Sequence, residues 1–468
     1  MTKRRSITAL AAALLLQALS SSSGFTSSRS STGTAKRTIS TPHHQKLYSQ
    51  QNDDDNNDGR IADNNNNNNN NVSIELNRRS FNTFSAAAAL SSLLVTSTSS
   101  NVPFLPVSSA AMAADYYEVN PKKKQRILIT GSNSGIGLDA AQRLALRGHE
   151  VVLACRTLAK ANMAADTIKT NIANDSEDAV DAISTIKKLQ LIPMECDLSD
   201  LKSIEKFVND WKKSNDGAVF DAVCYNAGVA RNTEAKDVLR TAQGFELTIG
   251  VNHLGHFYLN HLLMPYINKD TGRIVVTASS VHDPDSPGGA QGKTATLGNL
   301  QGLEDAVSSG TGIFDMVDGG PFNADKAYKD SKLCNVLFTR ELQRRLDESE
   351  SNKIKVNSFT PGLIVGTGLF RDQNPVFTKL FDVAATNLLK VGETTHYGGG
   401  ALEYMTLSSK VGEKGGEYYF SAPGLSKYGD AAFRKQFDVS GVSKEALDAD
   451  SSGKAKRFWE LSEKLVGI

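Results

Sequence analysis

The stretch QRILITGSNSGIG, residues 125–137, constrains the fold more than any other part of this 468-residue chain. A β-branched run passes directly into a glycine-rich turn and then into a helix-forming segment. Small residues at Gly131, Gly135 and Gly137, with Ser134 and Ile136 beside them, let backbone approach a phosphate at the helix N-terminus. The spacing G-x-x-x-G-x-G predicts a strand–turn–helix unit suited to a dinucleotide pyrophosphate. Many tight turns share three glycines, so the weight of the pattern depends on the segments C-terminal to it.

Those segments alternate strand and helix. HEVVLACR reads as a second strand ending at Arg156, where a 2′-phosphate would sit; an acidic residue would instead hold a free ribose hydroxyl, so the chain favours NADPH over NADH. MECDLSD puts Asp197 at the end of a third strand, placed to meet the adenine. DAVCYNAGVA carries Asn226, Ala227 and Gly228, IGVNHLGHF carries Asn252, and GRIVVTASSVH carries Ser279 and Ser280 at a strand end. In AYKDSKLCNVLF, Tyr328 and Lys332 are one helical turn apart, so the ammonium is a neighbour that biases the phenol toward its anion. This alternation predicts an α/β chain: a Rossmann-type, doubly wound parallel sheet with helices on both faces and ligands at the carboxyl ends of its strands.

Composition removes other classes. The formal net charge of +1 gives no electrostatic footprint for nucleic acid. Cys155, Cys196, Cys224 and Cys334 have no C-x-x-C spacing and are expected to be reduced and buried. His253 and His256 lie three apart without a carboxylate or cysteine cluster, so no metal site is expected.

The N-terminal part reads as an address. Residues 1–25 hold basic residues, a short apolar run and small residues, the layout of a cleavable signal peptide. Residues 26–71 combine transit-peptide composition with an Asn-rich tract that cannot bury apolar area. The pair resembles the bipartite plastid presequence of algae with secondary plastids. Residues 72–115, with Arg78, Arg79 and the small-residue stretch SSAAMAAD, resemble a twin-arginine export segment directed at the thylakoid membrane or lumen. The catalytic domain is expected over residues 116–468.

The order T-G-x-x-x-G-I-G, N-A-G, Asn252, serine, Y-x-x-x-K and then P-G at Pro361 and Gly362 resembles the short-chain dehydrogenase/reductase family. The resemblance implies Tyr328 as general acid, Lys332 as the group lowering its pKa and holding the nicotinamide ribose, and Asn252 as support for a relay water. It implies Ser280 or Ser279 as the residue orienting a substrate oxygen, and Pro361 and Gly362 as part of the cofactor site. Residues 281–327, 47 in all, separate Ser280 from Tyr328. A loop of that length beside a site suits a lid or a tolerated surface excursion.

That insertion, about residues 283–325, together with GFELTIGVNHLGHF and the terminal FWELSEKLVGI, resembles light-dependent protochlorophyllide oxidoreductases. These use NADPH to reduce a ring D double bond in chlorophyll biosynthesis. The chain departs from them at Leu363, where the family has a cysteine after P-G, and at Ala230, where it has an aromatic residue. The phrases IGVNHLGHF and NVLFTREL resemble retinol-dehydrogenase-type members equally, which implies another large apolar carbonyl or alcohol as the alternative substrate. A non-catalytic pigment- or nucleotide-binding protein is the alternative from another class; the presence of Tyr328, Lys332 and Asn252 weighs against it. Residues 374–389, apolar with helical spacing, suit a substrate lid, a thylakoid membrane contact or a core-facing helix.

Overall fold

Strand β1 (Arg126–Thr130) and strand β2 (Glu150–Cys155) are built from β-branched and apolar residues buried almost throughout. The computed structural model describes residues 124–364, 392–421, 424 and 437–468; the presequence and the apolar segment 374–389 lie outside them. Helix α1 (Gly135–Leu146) joins β1 to β2. Helices α2 (Leu158–Asp175) and α3 (Ala179–Lys188) lead to β3 (Gln190–Glu195), and α4 (Leu201–Ser214) leads to β4 (Ala222–Tyr225).

Helix α5 has three parts: Leu247–Ile249, a π-helical turn Gly250–Leu254, and Gly255–Leu263. It precedes β5 (Arg273–Thr277). After the insertion, which holds α6 (Gln301–Ser308), the long α7 (Ala324–Asp347) feeds β6 (Lys355–Phe359). Helices α8 (Thr395–Leu407) and α9 (Ser409–Glu413) precede β7 (Tyr418–Phe420), with β8 (Asp438–Ser440), α10 (Lys444–Ser451) and α11 (Lys454–Val466) closing the chain.

The sheet order is β3-β2-β1-β4-β5-β6-β7-β8. All pairings are parallel except β7 with β8. The order reverses between β1 and β4, and the crevice outside such a switch point is where this architecture takes a ligand. Alternation along each strand feeds two apolar cores. Leu128 and Val152 point to one, with Phe207 and Trp211 of α4, Phe257 of α5, Leu337 of α7 and Phe458 of α11. Ile127, Ile129, Val151 and Leu153 point to the other, with Leu144 of α1, Ile168 of α2 and Met405 of α8. The doubly wound sheet is therefore present as the alternation predicts.

The insertion is neither an open lid nor a loose excursion. Leu297, Leu300, Leu303, Phe314 and Val317 are buried within it and join the first core. Two buried lysines of α7 hold it down: Lys326 Nζ donates to the Thr296 carbonyl at 2.7 Å and pairs with Asp330 at 2.5 Å and Asp318 at 3.0 Å. Lys329 Nζ donates to the carbonyls of Gln291 and Lys293, the latter at 3.1 Å, and pairs with Asp325 at 2.9 Å. Cations this deeply buried persist only with such partners.

Candidate active site

The glycine loop is shaped by close backbone contacts. Gly131 has φ 68°, and a side chain there would stand 2.9 Å from Cα of Ala227. A Cβ on Gly137 would stand 2.6 Å from both Asn226 Nδ2 and the Gly131 carbonyl. Ser134 caps α1 without a side-chain hydrogen bond, so the first N–H groups of the helix face an approaching anion. Gly135 also takes a positive φ, 57°, and Ile136 packs inward against the space over Gly398.

Thr130 ties this loop to the next: its Oγ1 accepts from the backbone N–H of Asn226 and of Ala227, each at 3.0 Å, and Asn226 Nδ2 donates to the Thr130 carbonyl at 3.0 Å. Gly228 leaves room beside Asn252 Oδ1 and Lys332 Nζ, which a Cβ would meet at 3.4 and 3.8 Å. Arg156 is exposed directly after β2, and Pro361 and Gly362, the latter at φ 88°, follow β6. Asp197 uses one carboxylate oxygen to accept from the Ser199 N–H at 2.9 Å and hydroxyl at 2.7 Å, so this oxygen organises the turn after β3.

Helix α7 begins at Asn323, whose side chain accepts from the Lys326 N–H at 2.8 Å, and this cap sets the phase that turns Tyr328 and Lys332 inward. Lys332 Nζ lies 5.5 Å from the Tyr328 ring centroid and donates to the Thr277 carbonyl at 3.1 Å. Burial alone brings its ammonium down to about 8. Burial also pushes the Tyr328 phenol well above its ordinary range, with the Ser279 hydroxyl pulling the other way. The expected cationic bias toward a phenolate is thus outweighed by desolvation, and the free site holds a protonated phenol.

Ser279 is extended at the end of β5 and accepts from the Val281 N–H at 3.4 Å, while Ser280 begins the 3-10 turn Ser280–His282 and its carbonyl accepts from Ser286 Oγ at 2.7 Å. Of the two serines, Ser279 is the one that the structure sets against the phenol.

The π-helical turn in α5 swings Asn252 into full burial. Its Oδ1 accepts from the Val229 N–H at 2.7 Å, and its Nδ2 donates to the Val229 carbonyl and to Ser331 Oγ, both at 3.0 Å. The Asn252 carbonyl faces His256 Nδ1 at 3.1 Å, and His256 Nε2 faces Thr130 Oγ1 at 2.9 Å. Burial holds this imidazole down to about 4. Asn252 therefore braces the loop after β4 against α7, a task the motif does not disclose. Thr130 and Thr277 escape sequence reading because their partners, Asn226, Ala227 and His256 for the one and Lys332 and Asn335 for the other, lie on elements distant in the chain. His253 instead meets Ser462 Oγ at 3.2 Å and packs on Phe458. Among the described residues no cluster of His, Cys, Asp and Glu could hold a metal, and the four cysteines are free and buried.

This ordered set on a doubly wound sheet defines a nicotinamide-dependent oxidoreductase, and the chain belongs to the short-chain dehydrogenase family, which matches residues 125–291. Within that family it is similar to the chloroplastic protochlorophyllide reductase of Cucumis sativus, 35% identical over 350 residues, 74% of this chain and 79% of that one. The chloroplastic enzyme of Chlamydomonas reinhardtii is 34% identical, covering 74% of this chain and 79% of its own. Among solved structures, an uncharacterised protein of Mycobacterium paratuberculosis aligns with a TM-score of 0.50 at 26% identity, over 75% of this chain and 96% of that one.

Proposed function

We propose that the chain is an NADPH-dependent plastid reductase of the protochlorophyllide type, entering the organelle through the presequence in residues 1–115. The observation that carries the proposal is a half-buried Tyr328 beside Lys332, whose ammonium lies 5.5 Å from the phenol ring centroid, in a chain 35% identical over 350 residues to a protochlorophyllide reductase. The cofactor site fits its ligand: Gly131 and Gly137 have no room for side chains, Gly135 takes a positive φ, the α1 N-terminus is open to a pyrophosphate, and exposed Arg156 suits a 2′-phosphate. Asn226, Ala227, Gly228, Pro361 and Gly362 would hold the nicotinamide end of the cofactor. NADPH, when bound, supplies the hydride.

The remaining chemistry belongs to the chain. Tyr328 donates its phenolic proton to the ring carbon next to the one reduced. Lys332, fixed by the Thr277 carbonyl, stabilises the phenolate that forms and holds ribose hydroxyls. Ser279 fixes the direction of the phenol. Leu363, whose backbone carbonyl accepts from the Glu393 N–H at 2.8 Å, presents an apolar side chain and leaves proton delivery to Tyr328. That same apolar residue favours a second reading, a retinol-dehydrogenase-like enzyme for another large apolar carbonyl or alcohol.

The test is the visible spectrum of the purified chain with NADPH and protochlorophyllide, in darkness and after brief illumination. A red-shifted chlorophyllide band appearing only after light supports the proposal. Absence of both pigment binding and the band, while a known reductase works alongside, overturns it and moves retinoid and carotenoid-derived carbonyls to the front.

A further inference from the structure

His282 ends the 3-10 turn that begins directly after Ser279 and is 1% exposed. Its Nδ1 lies 2.7 Å from the Ser279 carbonyl oxygen, and its backbone N–H reaches the same oxygen at 3.2 Å. A carbonyl can only accept, so Nδ1 carries the ring proton. The other ring nitrogen, Nε2, accepts from the Ser443 N–H at 3.3 Å, which requires it to be unprotonated. Both contacts are satisfied by one neutral tautomer and by no other. Tyr418 stands edge-on to the ring, 4.8 Å between centroids. Burial keeps the imidazole below its ordinary pKa against the opposing pulls of the Ser279 carbonyl and Asp283.

The consequence falls on the reacting groups. The Ser279 carbonyl is clamped twice by His282, while its hydroxyl faces Tyr328 and the Val281 N–H. Ser443 is itself the cap of α10, its hydroxyl accepting from the Ala446 N–H at 3.3 Å. The imidazole therefore ties the loop after β5 to the C-terminal helices. We infer that His282 is a positioning residue: as the Nδ1–H tautomer it fixes the Ser279 backbone, and through the serine hydroxyl it fixes the direction of the Tyr328 phenol. Nothing in the motif order marks it, because its two partners lie 3 and 161 positions away in the chain.

Only the turnover arm of the test rests on the protochlorophyllide proposal. The first arm is nitrogen-15 correlation spectroscopy of the histidine rings in the full chain, the His282 signal being assigned by its loss in His282→Gln. The expected result is a protonated Nδ1 and a bare Nε2; an Nε2–H tautomer or a cation at neutral pH overturns the inference. The second arm compares His282→Ala with His282→Asn, whose amide nitrogen can take the place of Nδ1. With protochlorophyllide, NADPH and light, His282→Ala is expected to lose about tenfold in kcat with NADPH affinity within about twofold, and His282→Asn to recover most of the loss. Parental kcat in His282→Ala overturns the role, as does a His282→Asn no better than His282→Ala when both keep parental NADPH affinity. If the unmutated chain does not turn over protochlorophyllide, the functional proposal fails and the tautomer decides alone.

Discussion

Replacing Lys332 with methionine should remove turnover and yet make the folded protein more stable. Lys332 is 4% exposed, and burial lowers its ammonium from 10.5 to about 8. At about 1.4 kcal/mol per unit, such a depression corresponds to about 3 kcal/mol of unfavourable free energy for a folded cation at neutral pH. The hydrogen bond to the Thr277 carbonyl offsets about 1 kcal/mol. The contact with the Tyr328 ring offsets about 0.5–1 kcal/mol more. A net of about 1–2 kcal/mol is left for an unbranched apolar side chain of similar length to recover. The Thr277 oxygen is not orphaned, because Asn335 Nδ2 also donates to it at 3.2 Å.

The sign with pH is set by a folded pKa below the unfolded one. The unfavourable contribution is complete below about pH 8 and fades as pH climbs toward 10.5, where the unfolded lysine also loses its proton. Urea unfolding at pH 7 and pH 9.5 (about one and a half units above the folded pKa) reads this, with Trp211 and Trp459 as fluorophores. The variant should have the higher midpoint at pH 7 and a smaller advantage at the higher pH. A variant less stable than its parent at pH 7, or an advantage that grows with pH, refutes the reasoning.

Three further outcomes are expected. Tyr328→Phe should lower kcat by about a hundredfold or more while NADPH binding, read by nucleotide fluorescence, stays within about twofold. Gly137→Ala puts a methyl 2.6 Å from the Gly131 carbonyl and Asn226 Nδ2, so calorimetry should show NADPH affinity falling by more than about tenfold. Arg156→Glu should reverse coenzyme choice, changing the ratio of kcat/KM for NADPH over NADH by about a hundredfold; an unchanged ratio removes Arg156 from the 2′-phosphate site.

The parts of the fold that sequence discloses are those fixed by neighbouring residues. A β-branched run entering Gly131 and Gly135 forces a strand, a turn at positive φ and a helix, all within one short window. The Tyr328–Lys332 spacing likewise survives folding because a helix preserves it. Ser279 and Ser280 could not be separated beforehand, since the distinction is an extended backbone at one and a 3-10 turn beginning at the next. The electrostatics of the pair are not legible in the same way. Spacing shows that the ammonium is near, while the burial that shifts both groups comes from tertiary packing, which brings Lys332 to the Thr277 carbonyl of β5. The insertion was legible only as length; the pairs that seat it, such as Thr296 with Asp330 and Thr296 with Glu445, span 34 and 149 positions.

The seating of that insertion also couples the histories of two distant stretches of chain. Lys326 and Lys329 flank Tyr328 on α7 and are 6% and 3% exposed, and their carbonyl partners Thr296, Gln291 and Lys293 all lie in the inserted stretch. A lineage that shortened the loop would remove these carbonyl partners and leave each ammonium only its α7 carboxylate, Asp330 or Asp325, at a cost of about 1.5–3 kcal/mol for each charged hydrogen bond lost. Loop length and the identity of these two helix positions should therefore change together. Family members with a short connection are expected to carry neutral or solvent-facing residues there, and grafting the loop alone into one of them should fail unless both lysines travel with it.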